Sequence, residues 1–317
     1  MEGISLKEKV FTKKTLLSFI VSFTVLYFLL TRVELSKTLE IMKRVKFTDY
    51  ILAVVVFYTA FLIRGLRWGV LLRNAGLETP KKETSEIYFL SWFVNCIVPA
   101  KLGDVYRAYL LKKNYGRSIS KAMGTVFVER AFDVVTIVGL LAVAGSLVFK
   151  GKLPTDIQLS LRIGALVSIL LIIAIAVIGR WQGSISRFAP ALFKDIIVRF
   201  EEGVSKSLMK HSLPTLTGYT LMIWFSEAGR LYFVARSIDI VISLQLLFFV
   251  TLAAALLTAF PATPAGLGAV ELVMVGSLVL AGMVKEVAVS ITILDRIITY
   301  WSLLVLGGIV YAVSNKT

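Results

Sequence analysis

Uncharged apolar stretches recur along this chain of 317 residues, and several are long enough to cross a lipid bilayer. A hydrocarbon core requires about 20 residues of helix, and a backbone inside it must satisfy its own hydrogen bonds. The composition agrees, since 57% of the residues are hydrophobic and the mean hydropathy is +0.82. We therefore expect an all-α, polytopic integral membrane protein that forms one transmembrane domain over residues 1–317.

Six stretches have the length and composition of spanning helices, and we predict them at residues 15–31, 49–72, 123–148, 159–178, 213–234 and 286–312. The first of them, preceded by Lys13 and Lys14, resembles a secretory signal peptide. No small-residue cleavage site follows it, and Arg32 opens a polar segment that we expect to be a loop. We therefore expect the first stretch to remain in the protein as a helix.

Charged residues favour a membrane surface over nucleic acid as the partner of this chain. The net charge is +15, and Lys and Arg lie beside the apolar stretches rather than in one block. Their distribution places both termini on the cytoplasmic side of the cell membrane by the positive-inside rule. One cysteine, Cys96, and one histidine, His211, exclude a disulfide framework and a clustered His/Cys metal site within the sequence. No cofactor or metal is expected.

Two further apolar segments are interrupted. Residues 86–98 end before Pro99, residues 241–260 end before Pro261, and a second short helix is predicted after each, at 104–111 and 269–283. Proline ends a helix, and glycine permits the reversal that follows. We expect re-entrant hairpins whose breaks face a cavity, since exposed backbone is not tolerated in lipid. The predicted break residues are Pro99, Gly103, Pro261, Pro264, Gly266 and Gly268.

Residues 186–210 carry an apolar residue at every fourth position, from Phe188 to Leu208, against charged neighbours. Such a pattern is typical of a helix lying flat in the membrane interface. The alternative is a helix on the soluble side that covers loops. In either case, residues 181–212 form an amphipathic linker that we place on the cytoplasmic side.

The chain contains an internal repeat. The sequence PAKLGDV begins at Pro99 and PAGLGAV begins at Pro264, which is 165 residues later. Gly65 and Gly229 are 164 apart, and the pairs Glu129-Arg130 and Asp295-Arg296 are 166 apart. Three landmarks at a near-constant offset indicate a duplication, with repeats at 15–148 and 159–312. The number of spans between corresponding helices makes the two repeats run in opposite directions, as in secondary transporters.

Charged residues lie deep inside several predicted spans, where a lone charge costs about 2.5–3.5 kcal/mol or more. We expect them to converge on a substrate site near the hairpin helix N-termini, which suit a phosphate. Local pairs are available for Glu227 with Arg230 and for Arg130 with Asp133, while Lys101 could neutralise Glu129 and Asp133. The candidate substrate-binding residues are Arg64, Lys101, Asp104, Arg107, Glu129, Arg130, Asp133, Glu227, Arg230, Glu271, Asp295 and Arg296.

Other roles are open for some of these residues. The Glu227–Arg230 and Asp295–Arg296 pairs could fix helix register rather than bind a substrate. Arg67 and Arg107 could extend to the cytoplasmic head groups. The tryptophans are more typical of packing or interfacial anchoring than of ligand binding, and they are Trp68, Trp92, Trp181, Trp224 and Trp301.

Five motifs resemble the transmembrane region of lysylphosphatidylglycerol synthases, a family with free-standing, flippase-like members. They are RGLRW, VNCIVPAKLGDVYRAYLL, VFVERAFDVV, PATPAGLGAVE and LDRIITYW, which together cover about residues 49–312. The resemblance implies movement of an aminoacylated phospholipid between leaflets. The soluble domain that makes that lipid is not part of this sequence, so synthase activity is not expected and the transported lipid could differ.

Three functions therefore compete. The leading one is a lipid translocator whose partners are anionic phospholipids or lipid-linked phosphates, and the oligomeric state, including a homo-oligomer, stays open. A membrane-embedded lipid-modifying enzyme would use Asp104 and Glu129 as acid and base, but no nucleophile–histidine pair is visible. An ion or proton pathway would use the same carboxylates, but no selectivity-filter sequence supports it.

Overall fold

A computed structural model describes residues 13–31, 33–181, 183, 185–259 and 263–317, and the chain is helical over these ranges, as predicted. The α-helices in chain order are α1 Lys13–Thr31, α2 Leu35–Lys43, α3 Phe47–Asn74, α4 Lys81–Ile97, α5 Leu102–Tyr115, α6 Ile119–Val148, α7 Thr155–Arg180, α8 Ala191–Ser207, α9 Leu213–Arg236, α10 Leu244–Ala259, α11 Ala269–Leu280, α12 Lys285–Arg296 and α13 Leu303–Val313. A π-helical segment, Ile297–Ser302, joins α12 to α13.

Within the described ranges, four helices are long and apolar enough to cross a membrane: α3, α6, α7 and the continuous helix from Lys285 to Val313. They match four of the six predicted spans and confirm a multi-pass membrane protein. The other two predicted spans correspond to α1, whose apolar part is Leu16–Phe28, and to α9. Glu227 and Arg230 lie within α9 and lower its mean hydropathy.

The secondary structure of residues 35–43, helix α2, differs from the sequence-based expectation. A polar loop was expected after Arg32, which itself lies outside the described residues, but Leu35–Lys43 is helical. The helix packs on α12, where the hydroxyl of Ser290 donates to the carbonyl oxygen of Thr38 at 3.3 Å. These nine residues form an amphipathic helix, and α12 supplies the surface against which one of its faces packs.

Both interrupted segments contain a tight turn between two helices, as predicted. The first turn places Ala100 and Lys101 in the left-handed region, at φ 65° and 51°, and the second does the same with Ala265 and Gly266, at 45° and 70°. Pro261 lies outside the described residues. Gly103 lies in the first turn of α5 rather than in the reversal, and an added Cβ there would be 1.9 Å from the carbonyl oxygen of Ser91. Its absent side chain therefore permits close packing of α5 on α4.

Helices α3 and α9 pack along their lengths and run antiparallel. The amide of Lys46, before α3, donates to the carbonyl of Ser237, after α9, at 2.7 Å. At the opposite end, the side-chain amide of Asn74 donates to the hydroxyl of Ser212 at 2.8 Å. This pair of helices forms the centre of the molecule.

Each interrupted segment packs on a helix distant in sequence. Helix α4 contacts α13, where Phe93 lies against Gly307, and the hydroxyl of Ser314 donates to Glu86 at 2.7 Å. Helix α10 contacts α6 and the residues after it, where Phe249 packs edge-on against Phe149 with ring centroids 5.4 Å apart. The early and late parts of the chain are therefore interlocked rather than side by side.

The predicted amphipathic segment is divided by Pro190 into the short 3-10 helix Ser186–Phe188 and helix α8. Its apolar stripe has two environments. Phe188 and Leu192 are 78% and 80% exposed, whereas Val204 is fully buried against α6. The helix thus both covers α6 and presents an apolar surface outward, and its placement in a membrane interface stays a prediction.

Candidate functional site

A cavity of about 190 Å³ lies at the centre of the protein, with room for roughly a dozen water molecules. Helices α3, α4, α6, α9, α10, α11 and α12 line it together with both turns and the π segment. Its charged lining residues are Arg64, Arg67, Lys101, Arg130, Asp133, Glu227, Arg230, Asp295 and Arg296. Eight of these nine residues lie on helices and Lys101 lies in the first turn, whereas large apolar side chains are exposed on the outer faces of the helices.

Six charged side chains form a first cluster beside the cavity: Arg67, Asp104, Arg107, Glu129, Arg130 and Asp133. Glu129 is its centre and has no exposed side-chain surface. The carboxylate accepts hydrogen bonds from Arg67 at 3.0 Å, from Arg107 at 2.8 Å and from the hydroxyl of Tyr88 at 2.8 Å. Such charge-assisted bonds offset the desolvation of a buried carboxylate.

The other two carboxylates of the first cluster each contact two guanidinium groups. Asp104 accepts from Arg130 at 2.8 and 3.0 Å and lies 3.2 Å from Arg107. Asp133 accepts from Arg67 at 2.6 Å and lies 3.4 Å from Arg130. Three arginines therefore balance three carboxylates, and the first cluster is neutral by formal charge.

A second cluster contains Arg64, Glu227, Arg230, Glu271, Asp295 and Arg296. Glu227 pairs with Arg64 across the α3–α9 contact and with Arg230 at 3.2 Å on its own helix. Arg230 also contacts Asp295 at 3.3 Å. Arg296 donates to Glu271 at 2.7 Å, which completes a second formally neutral set.

The two clusters share one pattern of connections. Arg67 of α3 contacts Glu129, and the adjacent Arg130 contacts Asp104 in the first turn of α5. Likewise, Arg230 of α9 contacts Asp295 of α12. The adjacent Arg296 then contacts Glu271 in the first turn of α11.

Lys101 differs from every other cation in the cavity wall. Among the residues that the structure describes, no carboxylate lies within ion-pair distance of its ammonium group. The expected neutralisation of Glu129 and Asp133 by Lys101 was wrong, because Arg67 and Arg107 reach those carboxylates from neighbouring helices.

Among the unsatisfied buried groups of the cavity residues, donors outnumber acceptors. Within the described ranges, buried N–H groups without an acceptor include Nη1 of Arg64, Nε and Nη1 of Arg230, and the indole nitrogens of Trp92 and Trp224. The hydroxyl of Thr251 and one oxygen of Asp295 are also unsatisfied. A buried donor without a partner costs about 1–3 kcal/mol, so this lining suits a ligand with several acceptor oxygens.

Several predicted site residues have contacts other than those expected. Arg67 and Arg107 do not extend to head groups, since they are 2% and 0% exposed. Asp295 and Arg296 pair with other helices rather than with each other. Arg67 was missing from the candidate list because its place near the end of α3 is typical of an interfacial arginine.

The helix N-termini are less available to a ligand than expected. The amide of Gly103 donates to the side-chain oxygen of Asn95 at 2.8 Å, and the amide of Gly268 donates to Glu271 at 2.7 Å. A ligand in the cavity would therefore meet side chains rather than these two amides. Asn95 lines the cavity and was not identified from the sequence.

The tryptophans occupy three kinds of environment. Trp92 and Trp224 line the cavity, and the guanidinium of Arg64 lies 5.0 Å from the ring centroid of Trp92. Trp181 and Trp301 are 61% and 45% exposed, which fits the predicted anchoring role. Trp68 is fully buried and packs against Arg107, with the guanidinium 4.7 Å from its ring centroid.

Known proteins resemble this chain over most of its length. Residues 15–307 match the family described as the lysylphosphatidylglycerol synthase TM region. A UPF0104 membrane protein of Methanocaldococcus jannaschii is 38% identical over 71% of this chain and 95% of its own length. One of Pyrococcus horikoshii is 24% identical over 96% of this chain and 98% of its own length.

A shorter region of this chain is similar to part of a protein that is named as an enzyme. The glycosyltransferase AglD of Haloferax volcanii is 32% identical over 91 residues, which are 29% of this chain and 15% of that protein. The family match, by contrast, includes both charged clusters and both turns. The chain belongs to the family of the lysylphosphatidylglycerol synthase transmembrane region.

Proposed function

We propose that this protein moves a phosphate-bearing lipid head group between the two leaflets of the cell membrane through its central cavity. The observation that carries the proposal is a charged, donor-rich cavity enclosed by apolar helices. Phosphate oxygens are strong acceptors for the unsatisfied donors of Arg64 and Arg230. The acyl chains would stay in lipid while the head group crosses among the charged side chains.

The proposed mechanism rests on an inverted duplication. We propose two repeats over 15–148 and 159–312, in which α3 corresponds to α9 and α6 to α12–α13. The amphipathic linker over 181–212 lies between α7 and α9. The antiparallel α3–α9 contact, the matching left-handed turns and the shared pattern of connections in the two clusters support this proposal. Rocking of one repeat against the other would then open the cavity to each leaflet in turn.

The topology is tested by cysteine accessibility. Corresponding loops follow α3 and α9, and Glu78 and Val241 are exposed in them. In a Cys96→Ala background, Glu78→Cys and Val241→Cys should react with a membrane-impermeant reagent from opposite sides of oriented membranes. Reaction of both from one side would refute the inverted arrangement. The same experiment tests the proposed cytoplasmic termini when a cysteine is added after Thr317.

The carboxylates support a binding role better than an enzymatic one. Asp104 and Glu129, the candidate acid and base, each accept hydrogen bonds from arginine side chains. Guanidinium N–H groups occupy the oxygens of both carboxylates, so neither carboxylate is free to exchange a proton with a substrate. The same contacts disfavour a proton pathway through these groups. In the proposed mechanism the ion pairs hold the cavity walls together, and the unpaired donors supply hydrogen bonds to the head group.

A transport assay tests the proposal directly. Purified protein in liposomes should expose fluorescent phospholipid to an external quencher faster than protein-free liposomes do. Arg230→Gln should lower the rate, because Arg230 lines the cavity and two of its buried N–H groups are unpaired. Arg44→Gln is the matched control, since Arg44 is exposed and pairs with the exposed Glu40. Equal rates with and without protein for a broad set of phospholipids would refute the proposal.

A further inference from the structure

The cavity and its surroundings carry one positive charge in excess. The first and second clusters are each neutral by formal charge, with three arginines and three carboxylates apiece. Lys101 also lines the cavity, and in the part of the chain that the structure describes it forms no ion pair. In a medium of low dielectric constant, an uncompensated charge attracts a counter-charge strongly.

Lys101 occupies a backbone position that does not suit a lysine. Its φ is 51°, a left-handed conformation that glycine adopts without steric cost. Gly266 occupies the corresponding place in the second turn, after Ala265, at φ 70°. The two sequences, Pro99-Ala-Lys-Leu-Gly and Pro264-Ala-Gly-Leu-Gly, differ only at this position. A strained residue in a cavity wall, where glycine would fit, points to a role for its side chain.

Most of the remaining unsatisfied groups of the cavity residues are donors, which complement an anion; the exception is one oxygen of Asp295, which Arg230 contacts at 3.3 Å. The unsatisfied nitrogens of Arg64, Arg230, Trp92 and Trp224 all donate, and their residues all line the same cavity as Lys101. The hydroxyl of Thr251 can donate or accept. A phosphate group offers several acceptor oxygens and the negative charge that balances Lys101.

We infer that Lys101 makes the cavity selective for lipid head groups of net negative charge, with Lys101 as the phosphate-binding residue. This inference rests on the proposed function and narrows its substrate. A phosphodiester with an uncharged alcohol neutralises the site. A zwitterionic head group leaves the site's charge unbalanced, and an aminoacylated phosphodiester with two ammonium groups adds positive charge. The aminoacylated lipid is therefore the least suitable of the three.

The first experiment measures binding, which does not depend on transport. Full-length protein in a neutral detergent is titrated with short-chain phosphatidylglycerol, phosphatidylethanolamine and lysylphosphatidylglycerol, and the fluorescence of the tryptophans is recorded. Phosphatidylglycerol should bind most tightly. Lys101→Gly should weaken its binding about tenfold or more, because a charge-assisted hydrogen bond is lost. Lys101→Arg should retain most of the affinity.

The glycine variant separates binding from folding. Because glycine suits the left-handed position, Lys101→Gly should melt at or above the temperature of the unaltered protein. Lys101→Met removes the charge but keeps a side chain of similar length, and it should lose phosphatidylglycerol binding in the same way. Unchanged phosphatidylglycerol affinity in both variants, or tighter binding of lysylphosphatidylglycerol by the unaltered protein, would overturn the inference.

A soluble phosphate compound carries the same anionic group as a lipid head group and could occupy the site instead. Glycerol phosphate is the probe for this alternative. At the concentration that saturates phosphatidylglycerol binding, glycerol phosphate should not compete. Full competition would overturn the assignment to a lipid.

The transport assay then distinguishes this inference from the proposed function. Transport of all three lipids at equal rates, unchanged by Lys101→Gly, would refute the selectivity but retain the translocator. Selective binding through Lys101 without transport of any lipid would refute the translocator but retain the anion site.

Discussion

Glu129→Gln is expected to destabilise the protein more than any exposed carboxylate substitution. The Glu129 side chain has no exposed surface and accepts from Arg67, Arg107 and Tyr88 at 2.8–3.0 Å. Removal of one partner from a buried ion pair typically costs about 3–5 kcal/mol. Arg67 keeps Asp133 and Arg107 keeps a contact at 3.2 Å, so neither guanidinium loses all its partners. We therefore expect the lower figure, about 3 kcal/mol.

The single cysteine provides the assay. Cys96 is 1% exposed, so a thiol-reactive dye reports unfolding of the protein in detergent. At roughly 2 °C per kcal/mol for a chain of this size, Glu129→Gln should lower Tm by roughly 6 °C. Glu40→Gln is the control, because Glu40 is exposed and pairs with the exposed Arg44. Its effect on unfolding should stay below about 0.5 kcal/mol.

A Tm loss for Glu129→Gln no larger than that of the control would refute the reasoning. It would mean that water or a shifted side chain compensates the lost charge inside the first cluster. The measurement should be repeated at high salt, because buried pairs are screened much less than exposed ones. The difference between the two variants should persist there.

Two further outcomes are expected from the helix contacts. Gly103→Ala should lower the yield of monodisperse protein on size exclusion, because the added Cβ would lie 1.9 Å from the carbonyl oxygen of Ser91. Gly139→Ala is the control and should leave the yield unchanged, because the space around Gly139 is open. Equal yields would show that α5 can move away from α4. A double-mutant cycle of Arg64→Gln and Glu227→Gln should give a coupling of about 0.5–3 kcal/mol in the same thiol assay, and additive losses would contradict a direct pair.

The sequence predicts the helices and their interruptions because both depend on local chemistry. Apolar length defines α3, α6 and α7, and proline followed by glycine predicts the two turns. Helix α2 is missed because its nine residues have low apolar content, and its partner surface on α12 is about 250 residues away in sequence. A helix that depends on such a distant surface has no local signal.

The composition of the candidate site is largely predictable, but its pairing is not. A charge deep in an apolar stretch is rare enough to identify Arg64, Glu129 or Glu227 as a buried group. Spacing of three residues also predicts the Glu227–Arg230 contact. The partners of Glu129 come from α3, α4 and α5, whose rotation about their axes the sequence does not specify. For that reason Arg67 was missed and Lys101 was given a partner it does not have.

The pairing across α3 and α9 has a consequence for biosynthesis. Arg64 and Glu227 are 163 residues apart, so at about 5–20 residues per second Arg64 emerges roughly 8–30 s before its partner. Arg67 meets Asp133 after only 66 residues. The first cluster is thus complete while the ribosome is still translating the later helices. Arg64 must meanwhile be shielded by water, lipid phosphates or the insertion machinery.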